Sequence, residues 1–418
     1  MLRKVVFACL VAAATLAALR WAGPVSSGAL HLLRPANAEA EHREFPDSYK
    51  PLHKGYVDLS SGLYIRDDED LIVRGVPALV FQRTYRSRDR VARELGVGTT
   101  HSGELYLIGD PQFFQWTELI LATGGRIRFE RTSPGTSYLN AMFTHRSPSA
   151  EWDGAPLGWV GAEWVLRRND GTRMRFLACG GSLPVRACSI VQEIDSDGHA
   201  IDYRRDPTGR LLRIEAGERW IGLDYDDRGR VSRASDHAKR WVRYEYDEPG
   251  RLARVTSSDG VEHRYEYTAL DEMALISDPG TIIENVWEGG RVTKQVNRWP
   301  GDTEPYVFQF TWTMTNGRVA EVESRRSDGT WSRYAFNAAE YTVTEIQGMS
   351  GMQSLTFEYT RDPITNVITS MVVTCPGRTG AMLRHTSHVK PGYQEWTKWD
   401  MVRTNCAASR QDWRLPAK

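Results

Sequence analysis

Four tyrosine-centred motifs recur in the middle of the chain at an almost fixed interval. Successive tyrosines are 22, 21 and 21 residues apart; they are Tyr203, Tyr225, Tyr246 and Tyr267. A fixed period of about 20 residues is typical of repeat proteins, in which each unit packs mainly against its neighbours. The period therefore predicts a stacked array rather than a conventional globular fold. Weaker copies of the motif follow around Trp287, Trp312, Phe336 and Tyr359.

The repeat that contains Tyr246 shows how one unit is built. From residue 241 to 246 apolar and polar side chains alternate, which is the period of a half-buried strand with Tyr244 and Tyr246 on its apolar face. The letters DEPG at 247–250 predict a tight turn, and Leu252 begins a return strand. An Asp-Gly turn at 259–260 then starts the next unit. Each unit is therefore predicted to be a two-stranded hairpin, and stacked hairpins extend one antiparallel sheet.

The composition is that of a folded protein, and it lacks the excess of basic residues that is typical of nucleic-acid-binding proteins. The chain has 418 residues, of which 41% are hydrophobic and 10% aromatic, so it can bury a large core. Its 53 basic and 53 acidic residues balance, and no basic field is available to attract phosphates. We therefore expect no nucleic-acid partner.

Residues 1–38 have the pattern of an export signal. Arg3 and Lys4 precede an apolar run at 5–19, and the small-residue site Ala-Asn-Ala at 36–38 stands before Glu39. The run is shorter than the roughly 20 residues that span a bilayer. The alternative is an uncleaved membrane anchor. We expect a secreted or periplasmic protein that contacts a membrane only if residues 1–38 are retained.

The cysteines are interpreted in the light of export. Without Cys9 four remain, an even number that predicts two disulfides in an oxidising compartment; they are Cys179, Cys188, Cys375 and Cys406. Three pairings are possible. A turn with two glycines and a proline favours Cys179 with Cys188, which leaves Cys375 with Cys406. Zinc is the rival interpretation, but the chain has no C-x-x-C pair or histidine cluster. We therefore predict neither a metal nor a cofactor.

The motif letters resemble the YD repeats of Rhs-type proteins. The resemblance rests on IDYRRDPTGRLLRI from Ile201, LDYDDRGRVSRA from Leu223 and YEYDEPGRLARV from Tyr244. A second segment, VDLSSGLYIRDDEDLIVRGVPALVFQRTYRSRDRVARELGVGTTHSGEL at 57–105, is similar to the segment that opens many Rhs-type proteins. It departs at Gly98-Thr99, where Gly-Trp is usual. The resemblance implies an all-β fold of stacked antiparallel β-hairpin repeats, forming a partial shell or curved sheet after a β-rich N-terminal domain.

We divide the chain into four segments on this basis. They are a signal peptide at 1–38, an Rhs-type N-terminal domain with a Trp-rich cap at 39–189, a YD-repeat array at 190–371 and a disulfide-linked segment at 372–418. Rhs-type proteins often enclose a C-terminal toxin. Residues 372–418 show neither the core segment that precedes such a toxin nor its aspartate-based cleavage motif. We therefore expect a short member without a C-terminal toxin.

No catalytic motif is found in the sequence. G-x-S-x-G, H-E-x-x-H and P-loop patterns are all missing, so we predict that the protein is not an enzyme. The acidic run at 67–70 is expected to be a solvated turn rather than a cation site, and the DSDG sequence at 195–198 a hairpin turn rather than a calcium loop. His263 shares the register of the repeat tyrosines and is expected to be packed or hydrogen-bonded in the core.

Three tryptophans form the candidate ligand-binding site. Trp220, Trp241 and Trp331 occupy the same repeat position, on the face opposite the tyrosines. An indole offers a flat apolar face and a polar edge, which suits a sugar ring, and Arg243 could bind hydroxyl groups beside it. The alternative is that the indoles pack on neighbouring strands. The sequence predicts a binding or scaffolding protein of the cell envelope or exterior with a glycan or cell-surface partner; the alternative is a fragment or component of an Rhs-type toxin-delivery system with a toxin partner.

Overall fold

A computed structural model of the protein describes residues 56–110, 114–146, 152–177, 188–351 and 354–363, together with short strand segments before and after them. Within these residues the chain is almost entirely β, and its one helical element is a 3₁₀ turn at Tyr138–Asn140. No helix in this part of the chain is both long and apolar enough to cross a membrane.

The opening segment, residues 57–105, contains a three-stranded antiparallel sheet. β3 (Ile65–Val73) pairs with β4 (Leu79–Arg86), and β4 pairs with β7 (Thr99–His101). Two short antiparallel pairs complete this region; they are β1 (Leu52–His53) with β2 (Val57–Asp58), and β5 (Ala92–Arg93) with β6 (Gly96–Val97).

The next eight strands close into a ring. β8 pairs with β9 on one side and with β15 on the other, where Leu107 lies opposite Cys188. The other strands pair with their neighbours in the chain. The strands are β8 (Tyr106–Gly109), β9 (Trp116–Ile120), β10 (Arg126–Arg131), β11 (Met142–Thr144), β12 (Pro156–Val160), β13 (Glu163–Arg167), β14 (Arg173–Phe176) and β15 (Cys188–Ile194).

From β15 the sheet continues as an array of consecutive antiparallel hairpins. β15 belongs to both parts, because Gln192 lies opposite Asp202 of β16. The strands with repeat character are β16 (Ala200–Arg205), β17 (Leu211–Ala216), β18 (Arg219–Tyr225), β19 (Val231–Asp236), β20 (Trp241–Tyr246), β21 (Leu252–Ser257), β22 (Glu262–Tyr267), β23 (Met273–Asp278), β24 (Thr281–Glu288) and β25 (Arg291–Arg298). The later strands are β26 (Tyr306–Thr315), β27 (Arg318–Arg326), β28 (Thr330–Phe336), β29 (Thr342–Met349), β30 (Leu355–Arg361), β31 (Ile368–Cys375) and β32 (Arg378–His385), followed by β33 (His388–Lys390), β34 (Tyr393–Glu395) and β35 (Trp399–Met401).

Buried apolar side chains form two clusters, one in each part of the sheet. The first fills the ring and includes Phe129, Phe143 and Leu166. The second lies between the opening segment and the array, where Phe81 of β4 and Tyr244 of β20 belong to the same cluster. Full burial of an aliphatic or aromatic side chain contributes about 1.5–3 kcal/mol to stability. The opening segment is therefore part of the array's core.

The alternation in β20 confirms the predicted strand faces. Val242 and Tyr244 are buried, whereas Arg243 and Glu245 between them are exposed. Tyr246 is half-buried and packs against the second cluster, as do the other repeat tyrosines. The predicted fold class, an all-β fold of stacked antiparallel hairpins, is confirmed.

The prediction of a solvated turn at residues 67–70 is wrong. These residues lie inside β3, and Asp68 and Asp70 point toward arginines of the interior rather than water. The DSDG sequence forms the predicted hairpin turn, because the Asp195 carboxylate accepts N–H bonds from Asp197 and His199. The four segment boundaries stay predictions.

Candidate functional site

The aspartate and arginine of each repeat hold its turn. In one repeat Asp247 Oδ1 accepts N–H bonds from Gly250 at 3.1 Å and Arg251 at 2.8 Å, and Arg251 Nε donates to Asp247 Oδ2 at 2.7 Å. Gly250 has a φ of +94°, a conformation that favours glycine. The turn at residues 226–230 repeats the same bonds between aspartate and arginine. The letters D-x-x-G-R are thus explained by turn geometry.

The repeat tyrosines connect each hairpin to the one before it. The hydroxyls of Tyr225, Tyr246 and Tyr267 donate to the carbonyls of Leu211, Val231 and Leu252 at 2.5, 2.6 and 2.7 Å, respectively. Each acceptor is the buried first residue of a return strand. Burial raises the pKa of Tyr246 well above its ordinary value, so the hydroxyl stays a donor. The Arg230 guanidinium lies 4.2 Å from the centre of the Tyr246 ring.

Two of the predicted tryptophans lie near each other on the outer face of the array. Ser235 of β19 is opposite both Gly222 of β18 and Trp241 of β20. Trp220 packs over Gly222, because a Cβ on that glycine would lie 3.3 Å from the indole. Trp220 and Trp241 are half-buried and lie two strands apart.

Arginines cover part of these two rings. The Arg213 guanidinium lies 4.5 Å from the Trp220 ring centre, and those of Arg233 and Arg243 each lie 5.5 Å from the Trp241 ring centre. Arg243 itself is exposed. A sugar that stacked on either indole would therefore have to compete with a guanidinium for the ring face.

The third tryptophan is far from the other two. Trp331 lies on β28, eight strands beyond β20, which is roughly 38 Å along the sheet at about 4.8 Å per strand. Its indole covers Gly348 on the paired strand, where a Cβ would come within 2.6 Å of the ring. Trp331 therefore does not share a binding surface with Trp241.

The cysteines are only partly described. Cys188 is buried at the start of β15 and is disulfide-bonded. Cys179 and Cys406 lie outside the described residues, and only the backbone of Cys375 is described. Both predicted pairings stay predictions.

Buried ion pairs join the opening segment to the array. Arg66 Nε donates to Asp68 at 2.7 Å, and Arg66 Nη1 lies 2.9 Å from a carboxylate oxygen of Asp278 on β23. Arg83 Nη2 lies 3.1 Å from Asp68. The two arginine side chains are only 4% and 2% exposed. A buried charge that loses its partner costs several kcal/mol, so this network fixes the opening segment on the inner face.

The carboxylates of the network differ in acidity. Burial alone would raise the pKa of Asp278, but the hydrogen bond from His263 at 2.7 Å and the charge of Arg66 outweigh it, and its pKa lies below 3.8. In Asp70 burial outweighs the charge of Arg83, so its pKa lies above its ordinary value. The hydrogen bond of His263 agrees with its predicted place in the core.

Sequence analysis missed this network. Its one local indication is the spacing of two between Arg66, Asp68 and Asp70, which places them along one face of a strand until the bulge after Glu69. The cross-strand partner Arg83 lies opposite Asp68 in the register of β3 and β4. Neither the register nor the contact with Asp278 is visible in the residue pattern.

A histidine and two glutamates have the spacing of metal ligands. His101 Nε2 lies 2.8 Å from Glu94 Oε2 and 3.7 Å from Glu104 Oε1. His101 Nδ1 accepts the Gly103 N–H at 3.1 Å, which assigns the ring proton to Nε2. A metal at Nε2 would leave the imidazole without any proton. The hydrogen bonding therefore favours a proton between His101 and Glu94.

Two family models match parts of the chain. A domain of unknown function, DUF6531, matches residues 54–129, and the RHS repeat matches residues 225–262. The first match covers the opening segment and the start of the ring, and the second covers β19–β21 with the turns on either side. No curated protein matches the chain.

Solved structures that contain TccC3 are similar at low sequence identity. The crystal structure of TcdB2-TccC3 without its hypervariable C-terminal region is 12% identical with a TM-score of 0.36, and the match covers 79% of this chain and 22% of that one. The Photorhabdus luminescens Tc holotoxin pore is 10% identical with a TM-score of 0.36, covering 78% and 20%. The chain thus spans about a fifth of each of these two chains. The RHS repeat match, the D-x-x-G-R turns and the tyrosine hydrogen bonds between hairpins show that the array contains YD repeats of the Rhs type.

Proposed function

We propose that the chain is a scaffold component of an Rhs-type toxin-delivery system whose curved sheet holds a polypeptide partner. The RHS repeat match supports this class of protein. The observation that carries the proposal is that the opening segment covers the inner face of the earlier strands, whereas on β29 the described residues leave Gln347 of that face exposed.

The opening segment covers the inner face as far as β25. Tyr244 and Tyr265 of the covered repeats are only 3% and 5% exposed. At the far end the Val292 N–H donates to the Gly62 carbonyl at 3.3 Å, and Arg88 donates to the Gly290 carbonyl at 3.0 Å. This part of the face is closed to a partner.

The inner face of β28–β30 is buried at Phe357, which is 6% exposed, and accessible toward Gln347. Tyr334 lies opposite Glu345, and Glu345 lies opposite Phe357, so these side chains share that face. The Tyr359 hydroxyl donates to Glu345 Oε2 at 3.0 Å. Gln347, two residues beyond Glu345, is exposed. Aromatic rings around a carboxylate suit a polypeptide, which can supply apolar side chains, N–H donors and a basic side chain.

A photo-crosslinking amino acid at position 347 tests this proposal in the source organism. We expect a polypeptide adduct, identified by mass spectrometry, when the crosslinker replaces Gln347 on the inner face. The matched control is Glu358 of β30, which is exposed and lies opposite Thr344, on the outer face. The absence of a polypeptide adduct at 347, or equal adducts at both positions, would contradict the proposal.

Carbohydrate binding on the outer face is a second candidate function. Its support is the shared face of Trp220 and Trp241 and their separation of two strands. The arginines over both rings weaken that support.

We also propose that the chain is exported and that cleavage precedes Glu39. This part rests on the sequence of residues 1–38 alone. Intact-mass analysis of protein from the export compartment tests it: a mature chain should start at or near Glu39, and a full-length chain in the membrane fraction would replace export with anchoring.

A further inference from the structure

A buried arginine without an acceptor lies where the opening segment meets the ring. Arg86, the last residue of β4, is 3% exposed, and its Nη2 has no hydrogen-bond partner. Its guanidinium forms no ion pair with any of the described residues. Burial lowers the pKa of Arg86 to about 10, so the group remains charged at neutral pH. A buried cationic donor of this kind requires an acceptor.

A cavity of about 20 Å³ borders this guanidinium. The hairpin between β9 and β10 lines it through Ile120, Gly124 and Arg126, and Leu63 of the opening segment lines it as well. A Cβ on Gly124 would lie 3.2 Å from Arg86 Nη1, which shows how closely the hairpin approaches. A water needs about 10–15 Å³, so the cavity has room for a small ion.

The charges around the cavity favour an anion. Four arginines and one aspartate line it; they are Arg86, Arg88, Arg93, Arg126 and Asp89. The guanidinium groups of Arg93 and Arg126 pair with carboxylates, so the positive potential in this poorly solvated space comes mainly from the buried Arg86.

The nearby carboxylates are already bound to other groups. Asp89 Oδ2 accepts from Arg93 Nε at 3.0 Å and Nη2 at 2.8 Å. Arg126 Nη1 donates to Glu118 at 3.0 Å. With these carboxylates engaged, no acceptor for Arg86 Nη2 is found among the described residues.

Asp58, whose charge also acts on Arg86, makes hydrogen bonds within its own turn. Asp58 Oδ1 accepts from the Ser60 N–H and hydroxyl at 2.9 and 2.8 Å, and Asp58 Oδ2 accepts from the Ser61 hydroxyl at 2.8 Å. Asp58 therefore attracts Arg86 electrostatically without accepting a hydrogen bond from it.

We propose that a small inorganic anion of the size of chloride or bromide binds in this cavity and accepts hydrogen bonds from Arg86. The bound ion links β4 of the opening segment to the β9–β10 hairpin of the ring. It completes a contact between two parts of the chain that otherwise leaves a guanidinium unsatisfied.

Anomalous diffraction from full-length crystals grown in bromide tests the site directly. We expect a bromide peak within hydrogen-bond distance of Arg86 Nη2. A water alone at this position, or an Arg86 side chain that turns to pair with Asp89, would overturn the proposal. This experiment uses the wild-type chain and does not depend on a variant that folds.

Thermal unfolding gives an independent test. At constant ionic strength, replacing gluconate with chloride should raise the wild-type Tm by at least about 2 °C, because an ion that binds only the folded state stabilises it. Arg86→Met should abolish this difference. Arg128→Met is the control, since the Arg128 side chain is 49% exposed on β10, and it should keep the difference. An equal chloride effect in Arg86→Met would overturn the proposal; if that variant does not fold, the bromide crystal decides.

Discussion

The hydroxyl of Tyr246 donates a 2.6 Å hydrogen bond to the backbone carbonyl of Val231, the first residue of the return strand in the preceding repeat. Val231 is fully buried, so the bond is shielded from water. The hydroxyls of Tyr225 and Tyr267 donate equivalent hydrogen bonds. The tyrosine period is therefore the spacing at which a side chain of one hairpin reaches back to the hairpin before it, and each repeat is stabilised by the next.

Replacing the tyrosine tests both its burial and its hydrogen bond. Tyr246→Ala should lower the free energy of unfolding by about 3–5 kcal/mol, because it removes a ring that packs against the core and leaves a cavity. Tyr246→Phe keeps the ring and should cost about 0.5–1.5 kcal/mol for the lost hydrogen bond. Urea denaturation measures both values.

Glu245→Ala is the matched control on the other face of the same strand. Because Glu245 is exposed, its replacement should change the free energy of unfolding by no more than about 0.5 kcal/mol. Equal losses for Glu245→Ala and Tyr246→Ala would show that the two faces are assigned incorrectly.

The repeat turn makes a second prediction. Gly250→Ala should cost about 1–3 kcal/mol, because a φ of +94° strains any residue with a Cβ. The nearest atom to the added Cβ is Arg230 Nη1 at 3.8 Å, so the cost comes from the backbone rather than from a clash. Glu248→Ala in the same turn controls for side-chain loss. Chemical denaturation measures the free energy of unfolding of both variants. Equally small losses for Gly250→Ala and Glu248→Ala would refute the assignment of this turn.

The local features of the fold could be predicted from sequence because they are set within one hairpin. Alternation places Tyr244 inside, and the Asp-Glu-Pro-Gly turn at 247–250 reverses the chain, with no information from elsewhere. The ion-pair network around Arg66 could not be predicted, because its partner Asp278 lies 212 residues away. In the sequence, the acidic run at 67–70 beside Arg66 resembles a surface turn. Ring closure depends on two register pairs, Leu107 with Cys188 and Tyr106 with Ser189, which no periodicity indicates.

The candidate tryptophan site could likewise be predicted from the sequence only in part. Trp220, Trp241 and Trp331 share a repeat position in the sequence, and all three lie half-buried on strands of the array. The number of strands between them decides whether they can contact one ligand, and two of the arginines over the rings, Arg213 and Arg233, come from neighbouring strands. Both depend on sheet register rather than on the repeat motif.

The third prediction concerns the stability of the protein at low pH. The pKa of Asp278 is lower in the folded state than its ordinary 3.8, so its contribution to stability is complete above that value and is lost as the pH falls through the folded pKa. Asp278→Asn removes the titrating group. Between about pH 5 and pH 3, the free energy of unfolding should therefore fall less steeply in the variant than in the wild type.

Urea denaturation of both proteins across this range measures the difference. At neutral pH the variant should be the less stable of the two, because Arg66 and His263 lose a charged partner. Parallel stability curves down to pH 3 would mean that Asp278 is not held ionised by these two groups.

The last prediction separates carbohydrate binding from a purely structural role of the outer tryptophans. If Trp220 and Trp241 bind a sugar, Trp241→Ala should weaken binding by more than about 1 kcal/mol in isothermal titration with a ligand found on a glycan array. The Tm should change little, since the ring is half-exposed on the outer face. Trp331→Ala is the matched control: it removes the same side chain eight strands away and should leave affinity unchanged.

Unfolding by Trp241→Ala would assign that indole to the structure of the sheet, where it packs beside Arg233 and Arg243. Equal loss of affinity in both tryptophan variants would mean that the sugar does not bind at the Trp220–Trp241 surface, because a ligand there cannot reach Trp331.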